Sequence, residues 1–171
     1  MEISKLDAAK RQLDVAINLF FKQGDPVSIH TLTAAAHQLL MDIGRLENIK
    51  SLIKENPLIK KEYISEYHKT INEAENFFKH AEKDPHALLK FNPEQTEFLL
   101  LDAVEMYMQL TNEMPEDMSI FRVWFLIKYP SVVSPHTQKE LTAKGLDVAT
   151  YRTKTKLEFY SGMKDALIHA K

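Results

Sequence analysis

Cysteine is absent from this chain of 171 residues, which excludes disulfides, thiolate nucleophiles and cysteine-ligated metals. Glycine is scarce as well. Four glycines and seven prolines leave little room for flexible linkers or disordered tracts. No apolar run approaches the ~18 residues that a membrane span needs. The segment from Met1 to Lys10 is charged and lacks the apolar centre of a secretory signal, so a cytoplasmic address is expected. Gly-x-Gly-x-x-Gly, a Gly-rich loop before Lys-Ser/Thr, His-Glu-x-x-His and Gly-x-Ser-x-Gly are all missing, and with them the common phosphate-cradling, zinc-protease and serine-hydrolase signatures. The absence of Glu-x-x-His argues against ferritin-like di-iron chemistry.

The composition is that of a globular protein, 44% hydrophobic and 27% charged. The length suits a single domain, residues 1–171, with a sizeable core. A net charge of −2 does not advertise nucleic-acid binding, but its distribution is uneven. Residues 91–134 carry two basic and seven acidic side chains, whereas residues 135–171 carry seven basic and four acidic. The densest basic run, Tyr151-Arg152-Thr153-Lys154-Thr155-Lys156, reads first as a solvated helix face and second as a phosphate-contacting patch.

Helical periodicity dominates, and strand alternation is absent. The fold class expected is all-α, a helical bundle with four long helices plus short additional ones. The long helices fall at about 4–23, 26–45, 58–82 and 93–112. Ser4 and Asp7 form a start signal, and Leu6, Ala9, Leu13, Ala16, Ile17 and Phe20 then make one stripe that Gly24 stops. Asp25-Pro26 caps the second helix, whose narrow run Thr33-Ala34-Ala35-Ala36 lets a neighbour approach closely. Tyr63, Tyr67, Ile71, Ala74, Phe78 and Ala81 mark the buried side of the third, which Asp84-Pro85 breaks. Pro115 opens a fifth helix, Pro135 a short sixth, and Leu146 or Asp147 a seventh. The stretch Ile120–Tyr129 is apolar nearly all round, which places it at the centre of the fold or, alternatively, in a homodimer interface.

The stretch Asn76–Pro85 gathers the most functional groups. Asn76 and His80 are one helical turn apart, with Lys79 beside them. His80 as proton carrier, Asn76 as its orienter and Lys79 as a phosphate partner make a minimal hydrolytic site. The alternative is an interhelix amide and a helix-end histidine. Asp84 follows His80 by four residues and meets its imidazole if the helix persists. His30 and His37 share a face of the second helix but lie ~10 Å apart along its axis, too far for easy chelation of one ion. Each reads as a contact to part of a cleft or as a hydrogen-bonded, half-buried histidine. Asp102, Glu105 and Gln109 share a face and read as solvated. Glu97 precedes the apolar line Leu101, Val104, Met108 and reads as half-buried, with His30, His37 or Lys79 as candidate partners.

The segment Glu75-Asn76-Phe77-Phe78-Lys79-His80 resembles the Arg-polar-x3-His motif of HEPN-domain proteins, with glutamate in place of arginine. The resemblance implies a helical bundle acting on or around RNA, with Asn76 and His80 at the motif positions and the phosphate-binding arginine unmatched. Gly24–Leu32 with Asn76–Ala81 and Lys83–Pro85 is also similar to bacterial helical proteins of unassigned function. Two other readings stand beside the HEPN-like one. The first is a metal-dependent hydrolase or metal-binding bundle using His30 or His37 with His80, Asp84 and Glu97. The second is a non-catalytic module that dimerises through residues 120–129.

Overall fold

Ser4 closes a reciprocal capping box: its hydroxyl accepts from the Asp7 amide and its own amide donates to the Asp7 carboxylate. Helix α1, Lys5–Phe21, follows from it in the computed structural model, which describes residues 1–132, 134, 137 and 148–169. The helix buries Ala9, Leu13, Ala16, Ile17, Phe20 and Phe21. Gln23, not Gly24, takes the left-handed backbone that ends it, with φ 55°. Asp25 then accepts from the Ser28 amide at 2.7 Å and starts α2, Pro26–Gly44, with proline at its first position. The small stripe Thr33, Ala34, Ala36 is fully buried where α1 and the later helix Glu94–Thr111 close on α2. At Gly44 a Cβ would come within 2.8 Å of the Ile49 carbonyl, so the chain can turn back tightly only past a glycine.

Helix α5, Glu94–Thr111, ends at Asn112 in the left-handed region. Helix α6, Glu116–Lys128, follows Pro115. The apolar α6 is central to the fold: Ile120, Phe121, Trp124, Phe125 and Ile127 are buried in the same cluster as α1, α2 and α5. Phe20 meets Phe121 and Trp124 edge-on at ring distances of 5.3 and 4.7 Å. Each such ring contributes ~1.5–3 kcal/mol by leaving water. These side chains are taken up within the chain itself.

The long third helix departs from expectation. Residues 58–82 hold a 3-10 turn at Lys61–Tyr63, then α3, Ile64–Ile71, and α4, Glu73–Lys79. Asn72 is the joint, ending one helix and starting the next at φ −98°, ψ 1°. The Asn72 side chain makes no capping hydrogen bond, so the break reflects how few buried partners the stripe finds along this segment. Tyr63 is exposed rather than buried, as is Ala81; Tyr67, Ile71 and Phe78 are half-buried and only Ala74 is fully inside.

The helix expected to open at Pro135 lies outside the described residues, as does the expected start of the seventh. Its later part is split into α7, Val148–Arg152, and α8, Lys156–His169. Thr155 and Glu158 cap each other's amides at the break. Among the described residues every regular element is a helix and there is no strand, and none of these helices is long and apolar enough to cross a membrane.

Candidate functional site

The two histidines of α2 both point inward. His37 is fully buried and its Nε2 lies 2.8 Å from Asp102 Oδ2 on α5. Asp102 is buried, not solvated as its neighbours on α5 suggested, because the loop after Gly44 folds over it. Ser51 donates to the same Oδ2 at 2.5 Å, and the Leu52 and Ile53 amides reach the carboxylate at 3.0 and 3.4 Å. Burial works to raise the Asp102 pKa, but the hydrogen bonds from His37 and Ser51 outweigh it and hold the carboxyl below its ordinary range. The trio is not a nucleophile relay. Serine and aspartate meet the same imidazole nitrogen, with Ser51 Oγ 3.3 Å from His37 Nε2, whereas a relay needs them on opposite nitrogens. All three side chains are sealed from solvent, so the cluster pins the 51–54 loop to α2 and α5.

His30 is likewise buried. Its Nδ1 lies 2.9 Å from Thr96 Oγ1, and its ring meets Phe78 and Phe91 edge-on at 5.7 and 5.3 Å. Burial lowers its pKa, so the imidazole resists protonation. This aromatic slot fastens α4 and the segment before α5 onto α2. Glu75, at the position of the motif arginine, is also inside. Its carboxylate accepts from Lys54 at 2.7 Å and Lys79 at 2.6 Å. Burial opposes this charge, and the two lysine bonds overcome it and lower the Glu75 pKa.

The residues of the 76–85 stretch separate. Lys79 turns back to Glu75. His80 is the C-cap of α4 with extended backbone, φ −130° and ψ 130°, and its side chain is 61% exposed. The helix therefore ends before it can bring Asp84 over His80, and the nearest carboxylate is Glu82, 3.7 Å from Nδ1. Asn76, His80 and Asp84 do line one open cleft of about 600 Å³, together with Lys69, Lys83 and Phe77. His30, His37 and Glu97 are not among its lining residues. Among the described residues, no three of His, Asp and Glu come together as a metal site would require. Asn76 also faces a second, strongly polar cleft of about 340 Å³ on the other side of α4, shared with Gln38, Arg45, Lys54, Glu55, His68, Asn72 and Glu75.

Glu97 has other partners than those expected. It is buried, and Lys128 Nζ and Tyr129 OH donate to its Oε2 at 2.7 and 2.6 Å. Lys156 Nζ reaches its Oε1 at 3.4 Å. Burial lowers the Lys156 pKa, against the pull of Glu97. The two lysines border a cleft of about 560 Å³ with Trp124, Tyr151, Arg152 and Lys154. Lys128 stands 5.1 Å from the Trp124 ring centre, Lys154 4.8 Å from that of Tyr151, and Lys156 3.6 Å from that of Phe20. The basic run 151–156 is visible in the sequence. Its meeting with Lys128 and Trp124 depends on α7 and α8 packing onto α6, which no local pattern encodes. Comparison with models of known protein families, with curated proteins and with solved structures finds no match, so the reading of this chain rests on its own geometry.

Proposed function

We propose that this protein binds single-stranded RNA through its phosphates, in the cleft between α6, α7 and α8. In this reading it is a HEPN-like bundle whose Asn76-x3-His80 motif has lost its nuclease role. The observation that carries the proposal is the convergence of Lys128, Arg152, Lys154 and Lys156 around Trp124 and Tyr151. Glu97, and Glu94 at 3.6 Å from Lys128, offset part of this charge, and the four cations still outnumber the two carboxylates. Cations beside aromatic walls suit a single strand whose backbone tracks a groove. The lysine heads already lie over the Trp124 and Tyr151 faces, which favours contact with phosphates over stacking of bases. The motif supports this division of roles. Glu75 stands where a phosphate-binding arginine is needed and is itself locked between Lys54 and Lys79, while His80 is held by no buried partner.

The test is fluorescence anisotropy with a labelled single-stranded RNA over a salt series. Affinity should fall steeply with salt and vary little with base sequence. The double variant Arg152→Ala/Lys154→Ala should weaken binding and reduce the log–log salt slope by about 1.4, two phosphate contacts at ~0.7 each. No binding at low salt, or a slope untouched by the double variant, refutes the proposal. Cleavage of the RNA that His80→Ala abolishes would return the motif to a catalytic role.

A further inference from the structure

We infer that Lys156 is a nucleophilic lysine that captures small aldehydes as a reversible imine, in the cleft where α2, α5 and α8 begin. This cleft is not the basic one, although Lys128 and Lys156 border both, and the inference does not rest on RNA binding. Phe20, Pro26, Ile29 and Pro93 give it apolar walls, and about 400 Å³ suits a small ligand with an apolar body. Two lysines here face one buried carboxylate, and they do not share it equally. Lys128 Nζ takes Glu97 Oε2 at 2.7 Å, and Glu94 lies 3.6 Å from the same ammonium. Tyr129 OH also donates to Oε2. Lys156 is left with Oε1 at 3.4 Å, a long contact for a charged pair. Its Nζ stands 3.6 Å from the centre of the Phe20 ring, which attracts the ammonium weakly and screens it from water.

An amine attacks a carbonyl only when its lone pair is free, and burial or a neighbouring cation frees it. Burial works against the Lys156 ammonium, as does the charge of Lys128, and together they outweigh Glu97 and Glu94 and lower its pKa. Arg152 and Lys154 add positive charge in the adjoining basic cleft. Burial also works against the Lys128 charge, but there the Glu97 bond outweighs it and raises the pKa. The pair thus divides into one fixed cation and one amine that deprotonates more readily. The Lys156 side chain is 31% exposed, so an aldehyde can reach it. In the reaction the ammonium first gives up a proton, and its Nζ lone pair bonds to the carbonyl carbon. The carbonyl oxygen takes a proton from the nitrogen, giving a carbinolamine. That hydroxyl leaves as water when it is protonated, and a C=N bond remains, charged as the ammonium was. Glu97 Oε1 faces Nζ and is placed to take the first proton and return it to the departing hydroxyl.

The test is reductive trapping of the full chain with benzaldehyde and cyanoborohydride in the absence of RNA, read by peptide mapping in a mass spectrometer. Lys156 should be labelled several-fold faster than the exposed Lys50, Lys83 and Lys90. Its rate should saturate with benzaldehyde concentration, whereas theirs should rise linearly, because only Lys156 has a cleft that binds the aldehyde first. As pH is raised, the Lys156 rate should level off before theirs. Lys128→Gln removes the neighbouring cation and should slow labelling of Lys156 several-fold, while Lys128→Arg should keep it fast; thermal melts check that both variants fold. Lys156→Arg should abolish the saturable labelling. The inference is overturned if Lys156 reacts no faster than the exposed lysines, if its rate does not saturate, or if folded Lys128→Gln is labelled like the wild type. Labelling needs no RNA and anisotropy needs no aldehyde, so a failure of imine capture is distinguishable from a failure of RNA binding.

Discussion

The bundle of α1, α2, α5 and α6 and the arm from residue 46 to residue 92 are stabilised by different forces. In the bundle, most buried side chains are apolar, among them Phe21, Phe121, Phe125, Leu13, Ile17, Leu40 and Leu100. In the arm, the buried residues are Ser51, Lys54, Ala74 and Glu75, three of them polar. The first gains from area removed from water, which is non-directional and spread over many contacts. The second depends on named partners: Asp102 for Ser51, Glu75 for Lys54, and the Ile53 and Lys54 carbonyls for Tyr67 and His68. A segment with few buried apolar contacts opens locally at lower cost than the core. The arm therefore suits clefts that admit a ligand.

The largest effect should come from the bundle. Trp124→Ala removes a ring packed against Phe20, Phe21 and Phe121 and should cost about 3–5 kcal/mol in chemical denaturation. Bundle and arm should lose structure together in this variant. A melt that shifted by only a degree or two would mean that α6 is not the centre of the core.

Next in size is the pin that joins the two regions. Asp102→Asn replaces an acceptor-only group by an amide and leaves a Ser51, Leu52 or His37 donor unmatched, at about 2–3 kcal/mol. Hydrogen exchange should speed up at residues 51–55 before it does in α1. The pH dependence has a defined sign. The Asp102 pKa is lowered from 3.8 in the fold, so its contribution is complete above that pH. It is lost as pH falls from there through the folded value. The stability gap between wild type and Asp102→Asn should therefore be flat from pH 5 to 7 and shrink below pH ~4. A gap that widened in acid would mean that the native aspartate is protonated.

The bundle was legible in the sequence for the same reason that it is robust. Repeated apolar positions such as Ala9, Leu13, Ala16, Ile17 and Phe20 mark a helix face, and Ser4 and Asp25 mark starts whose hydrogen bonds form as expected. The arm was legible only in part. Its Tyr63–Ala81 stripe has helical spacing, but whether a helix runs on past Asn72 depends on long-range partners for that stripe, which are few here. The pairings Lys54–Glu75 and His37–Asp102 span 21 and 65 residues, and no local pattern announces them. For Asp102, the spacing relative to Glu105 and Gln109 pointed to solvent, and the covering loop reversed it. The basic run 151–156 was visible, but its convergence on Trp124 and Lys128 was not.

A smaller effect should follow within the arm itself. Glu75→Gln removes the charge that Lys54 and Lys79 share and should cost about 1–2 kcal/mol. Exchange in α3 and α4 should accelerate while α1 and α2 keep their protection. Were the whole molecule to soften equally, the arm and the bundle would be one cooperative unit and the contrast drawn above would fail. Glu75→Arg gives a harsher comparison, since it restores the HEPN-like motif residue but sets three cations together.

The smallest effect should be at His80. Its side chain is 61% exposed, its nearest carboxylate is 3.7 Å away on the equally exposed Glu82, and α4 has already ended. A surface side chain without buried partners contributes within about 0.5 kcal/mol, so His80→Ala should melt with the wild type. That neutrality gives the variant its use. A change in any RNA-dependent readout cannot then be attributed to unfolding. If His80→Ala binds RNA as the wild type does while Arg152→Ala/Lys154→Ala does not, recognition belongs to the α6–α8 cleft. If His80→Ala melts several degrees lower, the end of α4 is held by contacts that the exposed geometry does not provide, and the arm is more tightly built than its burial indicates.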